Sequence, residues 1–167
     1  MPNTMTLIAS STVGSGGASS IDFTSIPSTY TDLVVKFSVR NDGGATWGTL
    51  TLNGSSTGWT LKNLYGDGSS TGSQSQSVNT YTVMQNNTGD TANTFTNSEF
   101  YIPNYAGSNY KSISGEQTRE NNGTSAYIYL HALLWSNTAA INRVTLNAIT
   151  NNFAQYSTAY LYGIKNS

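Results

Sequence analysis

Residues 32–40 read DLVVKFSVR, and residues 126–135 read AYIYLHALLW. In the first run Leu33, Val35, Phe37 and Val39 fall on one side, while Asp32, Lys36, Ser38 and Arg40 fall on the other. Only Val34 breaks this period of two, which is that of a β-strand with one covered face. The second run is apolar on both sides. Ala126, Ile128, Leu130, Ala132 and Leu134 form a row expected to face the core, and Tyr127, Tyr129, His131, Leu133 and Trp135 form the other. A half-exposed strand carries charges or threonine on its outer row. The aromatic row is therefore expected either to be covered within the chain or to face another subunit.

Outward from these runs, period-two patterns recur at 4–9, 21–26, 46–53, 58–65, 77–85, 93–102, 110–118, 141–150 and 156–164. No window sustains helical periodicity, and helix formers are sparse. Asn41-Asp42-Gly43-Gly44 is expected to supply positive-φ residues for a reversal that returns 46–53 as the hairpin partner of 32–40. Asn53-Gly54 is a second turn signal. Residues 66–77 (GDGSSTGSQSQS) are low in complexity and read as a mobile surface loop. About ten short strands with polar turns predict an all-β, single-domain antiparallel β-sandwich or jelly roll. Residues 1–20 read as a strand followed by a flexible Gly/Ser segment, and 21–167 as the sandwich; the first strand is expected to fold back onto its own sheet, with an arm that adds to a neighbouring sheet as the alternative.

Composition narrows the function. Charged residues make up 9% of the 167 positions, against roughly 25% in ordinary soluble domains. Solubility therefore rests on hydroxyls and amides. A net charge of −1 with scattered cations offers no field to attract nucleic acid or an anionic membrane. Cysteine is absent, which removes disulfides and thiolate metal sites. The first twenty residues lack the basic start and apolar run of a secretory signal, and a chain opening on Met1 is expected to be a complete small reading frame.

Chemistry-bearing constellations are few. The single histidine, His131, sits mid-strand between tyrosines and reads as a packed side chain. Glu99, Glu116 and Glu120 are the carboxylates with reach for glycosidase chemistry, but a solvated loop or strand edge explains the island 116–120 more cheaply. Asp42, Asp67 and Asp90 lie in Gly-rich loops but start no calcium-binding pattern, so they read as turn formers. No catalytic residue, metal ligand or cofactor is expected. Eleven tyrosines and three tryptophans are plentiful for so polar a chain. The favoured reading is that they fill the ends of a sandwich; the alternative is that Trp47 and Trp59, which flank a predicted hairpin, form a platform that stacks on sugar rings. The candidate binding or interface residues are Trp47, Trp59, Tyr127, Tyr129, His131 and Trp135.

Three stretches carry a resemblance: IPSTYTDLVV at 26–35, FYIPNYAG at 100–107 and AYLYGI at 159–164. Through them the chain resembles small jelly-roll-like virion proteins of tailed bacteriophages, of the head-decoration (cement) or tail-fibre type. The resemblance implies a non-enzymatic, often trimeric structural module of the virion. Its partners would be the major capsid protein or other virion proteins. The expectation is a cement protein that docks as an oligomer on the head surface and stabilises it. A tail-associated domain that binds host carbohydrate is the alternative.

Overall fold

The computed structural model describes residues 4–78, 81–123 and 126–165. Among these residues there is no α-helix, and twelve strands build two antiparallel sheets. In chain order they are β1 (Met5–Thr12), β2 (Ser20–Phe23), β3 (Asp32–Ser38), β4 (Trp47–Leu52), β5 (Trp59–Gly66), β6 (Thr71–Val78), β7 (Tyr81–Met84), β8 (Asn97–Ile102), β9 (Lys111–Arg119), β10 (Tyr127–Trp135), β11 (Val144–Asn147) and β12 (Thr158–Ile164). The larger sheet runs β1-β12-β3-β8-β9-β10-β5-β6, and the smaller runs β2-β11-β4-β7. The result is a single-domain β-sandwich, as the strand pattern predicts.

Each sheet contributes its inward row to one core. Leu33, Val35 and Phe37 of β3 share this core with Phe100, Ile102, Trp59, Trp135 and Leu161 of the same sheet, and with Ile21, Phe23, Leu50, Leu52, Tyr81 and Val144 of the other. Tyr81 is the hub: its ring lies 5.7 Å from Trp59, and 5.6 Å from each of Phe100 and His131. A glycine makes this packing fit. Gly115 stands in register between His131 and Phe100, and Phe100 leans over it so closely that a Cβ would meet the ring at 2.2 Å. A large side chain at Gly115 would push the two rings apart.

The three stretches behind the resemblance form one block. β12, β3 and β8 are neighbours, and the Asp32 carboxylate accepts hydrogen bonds from the Tyr101 hydroxyl and the Asn104 amide. The Tyr105 hydroxyl donates to the Pro27 carbonyl, and Tyr30 covers Gly163. Their residue types thus answer to a shared local packing.

Four expectations are corrected. Asn41-Asp42-Gly43-Gly44 makes no hairpin, because β3 belongs to the larger sheet and β4 to the smaller. The segment carries the chain across the sandwich. Asn41 is buried and donates to the Thr150 carbonyl while accepting from the Gly43 amide, and positive φ falls instead at Asn53 and Gly54 (53° and 70°). Gly43 serves close approach, since a Cβ there would come within 2.3 Å of the Asn151 side chain. Part of the low-complexity run is no loop: β6 pairs along its length with β5, from Trp59↔Val78 to Gly66↔Thr71. Its Ser/Gln alternation offers no apolar face, but an edge strand needs only its ladder bonds.

The N-terminal strand folds back onto its own sheet, with β1 paired to β12. The Gly/Ser segment that follows, expected to be flexible, is instead held in place. Val13 is buried, its amide donates to Ser157, and Ala18 and Phe153 exchange two backbone hydrogen bonds. The fourth correction concerns β10. Its aromatic row faces the core and its aliphatic row faces solvent, the reverse of the expected assignment for Ala126, Ile128, Leu130, Ala132 and Leu134. Trp135 and Trp59, paired across the strands at 6.3 Å, fill inter-sheet space that the aliphatic row is too small to occupy.

Candidate interaction face

Reversal of β10 brings apolar side chains to the outer surface of the larger sheet. Ile128 and Leu130 are 51% and 53% exposed, and Leu64, paired with Leu130 across the β5–β10 ladder, is 61% exposed. Ala132 continues the row on β10. Hydroxyl side chains border it: Ser73 and Ser75 on β6, Ser112 and Ser114 on β9. Between β10, β5 and β6 the surface sinks into a groove of about 760 Å³ floored by Leu64, Leu130 and Ala132. Grooves of about 500 Å³ and 540 Å³ extend it in either direction along the strands.

Two kinds of charge flank this floor. On one side Lys62 donates to Ser75 Oγ at 2.9 Å. On the other Glu116 stands in register with Glu99, whose carboxylate pairs with Lys36 at 2.7 Å. Like charges directly opposite across a ladder repel; Lys36 bonds Glu99 and also attracts Glu116, so one cation faces two carboxylates. Glu120, the other half of the candidate carboxylate pair, lies past the end of β9 and accepts from the Asn121 and Asn122 amides of its own turn. Among the described residues no group of three His, Asp or Glu side chains is placed to hold a metal ion.

The six candidate residues separate. Trp59 (2% exposed) and Trp135 lie in the core, so no joint platform of Trp47 and Trp59 exists. Trp47 opens β4 at 42% exposure and stands edge-on to Tyr129 at 6.4 Å. Tyr127, Tyr129 and His131 stack along β10, with centroid spacings of 6.2 Å and 5.4 Å. Sequence reasoning passed over Leu64, Ile128 and Leu130 as surface residues. Their alternation was visible, but not which side of β10 the second sheet would cover.

His131 belongs to a buried network that decides its protonation. The Met84 amide must donate, so the Gln117 oxygen that accepts it at 2.7 Å fixes the orientation of that side chain. Gln117 Nε2 then donates to the Tyr81 hydroxyl and to His131 Nε2, both at 2.9 Å. The imidazole proton accordingly sits on Nδ1. Burial lowers the His131 pKa to about 4, from an ordinary 6.5. A proton on Nε2 would also set two donors against each other.

The consequence is a pH-dependent stability. Between about pH 6.5 and 4 the unfolded chain binds a proton at His131 and the folded chain does not, so stability falls as pH falls through that window. The His131 share of the loss should approach about 3 kcal/mol and level off below pH 4, where the lowered carboxyls of Asp22 and Asp90 take over the decline. Chemical denaturation at stepped pH should show this slope in the native protein and lose it in His131→Phe. Equal slopes in the two proteins would refute the assignment.

Comparison of the chain with protein-family models, curated proteins and solved structures gives no match.

Proposed function

We propose that the protein is a non-catalytic structural component of a bacteriophage virion, a decoration or cement protein that docks as an oligomer on the head shell and stabilises it. The observation that carries this reading is the outer face of the larger sheet. There Leu64, Ile128 and Leu130 lie together, more than half exposed, among hydroxyl side chains. Exposed apolar residues collected on one face, rather than scattered singly, mark a contact surface. The buried position of His131 and the engagement of Glu120 in its own turn fit a protein that works by shape. Repeated copies would let many small neutral contacts add across a shell.

Fractionation of particles tests the proposal. The polypeptide should copurify in high copy number with emptied heads, and attachment should change little between low and high salt, because few ion pairs are present to be screened. Absence from heads, or a steep loss in moderate salt, would sink it. A few copies on tails would favour the second reading, a carbohydrate-binding tail domain, for which exposed Trp47 beside Tyr129 supplies a stacking edge.

A further inference from the structure

Building on the assembly reading above, we infer that the outer face of the larger sheet is covered by the same face of a second copy of this chain, with Lys62 of each copy set against Glu116 of the other. The charges choose the occupant. Among the described residues no carboxylate pairs with Lys62, and Glu116 is the surplus anion of the Glu99–Lys36 group. The lysine without a carboxylate partner and the carboxylate in excess of Lys36 lie on opposite sides of β10: Lys62 is level with Ala132 on β5, and Glu116 is level with Leu130 on β9. A two-fold axis in the plane of the face, passing between them, exchanges the two positions. The same operation closes Leu64, Leu130 and Ala132 of both copies into one apolar centre. Such a contact is isologous, and each ion pair occurs twice.

Size and relief agree with a second sheet as the occupant. Strands β9, β10, β5 and β6 contain eight or nine residues each. At ~3.3 Å per residue and ~4.8 Å between strands they present roughly 530 Å² in projection. Side-chain relief raises this toward the ~800 Å² per partner of a stable interface. The small serines at the border let two sheets approach to the ~10 Å of face-to-face packing. A nucleic acid or an anionic surface would need a field of one sign, whereas this face carries both signs equally.

Charge reversal tests the arrangement directly. Sedimentation equilibrium of the full chain should give twice the 17.8 kDa chain mass. Leu130→Glu should give the single-chain mass with the fold intact by circular dichroism. Lys62→Glu alone and Glu116→Lys alone should each weaken association at least about tenfold, and the double reversal should restore it. A native mass of one or three chains would overturn the inference, as would a dimer indifferent to Leu130→Glu or a double reversal no tighter than the singles. A trimer that populates heads overturns this inference and leaves the proposed function standing. A charge-matched dimer absent from particles does the opposite.

Discussion

Asp90→Ala should destabilise the protein by about 3–5 kcal/mol, more than its position in a Gly-containing polar loop suggests. The Asp90 carboxylate takes a two-pronged contact from Arg119, at 2.7 Å and 3.3 Å, and also accepts from Asn121 Nδ2 and the Asn87 amide. Both side chains of the ion pair are almost wholly removed from solvent. Burial by itself would raise the Asp90 pKa; the bonds from Arg119, Asn87 and Asn121 outweigh it and hold the carboxyl below its ordinary value. Alanine leaves the guanidinium buried without a counter-charge, and that accounts for most of the expected cost. Removing Arg119 as well should therefore return part of the loss, so the Asp90→Ala, Arg119→Met double variant should be more stable than Asp90→Ala alone. Urea denaturation of the three proteins decides it. A single-variant cost below about 1 kcal/mol would show that the pair contributes no more than a surface contact.

The second large effect is expected at Trp135. Its ring is fully buried, lies 6.3 Å from Trp59 and occupies the space between the sheets. Trp135→Ala should cost about 3–5 kcal/mol, through lost burial and the cavity left behind. Leu134→Ala and Leu130→Ser, on the opposite side of the same strand, should each change the stability of the single chain by less than about 1 kcal/mol. The contrast reads out which face of β10 is covered. Denaturation at dilutions where the chain is monomeric separates this from any effect on association. Comparable losses on the two faces would contradict the orientation of the strand.

The loops show where residue-by-residue reading succeeded and where it stopped. Asp67 is the turn former its context implies: hydrogen bonds from the Ser69 and Ser70 amides hold its carboxyl well below the ordinary range. Asp90 has similar neighbours in sequence, yet it anchors an arginine twenty-nine positions away. Nothing within a few residues of Asp90 encodes that partner. Asn53-Gly54 turns as its dipeptide predicts, with both residues at positive φ. Asn41-Asp42-Gly43-Gly44 has equally strong local chemistry but links the two sheets, because Asn41 is satisfied by Thr150 and the Asp42 amide by Asn152.

Period-two patterning along the chain, together with the shortage of helix formers and charges, was enough to determine an all-β single domain whose surface is hydroxyl and amide. Those properties follow from each residue and its nearest neighbours, which set strand and turn preferences directly. Which strands share a sheet, and which face of an apolar strand is inside, were decided only in the tertiary structure. Both rows of β10 could have been buried; the smaller sheet covers one of them, and the larger rings took the covered side because only they fill the gap between the sheets. The aliphatic row is left outside by that choice, and with it the surface proposed to meet a second copy.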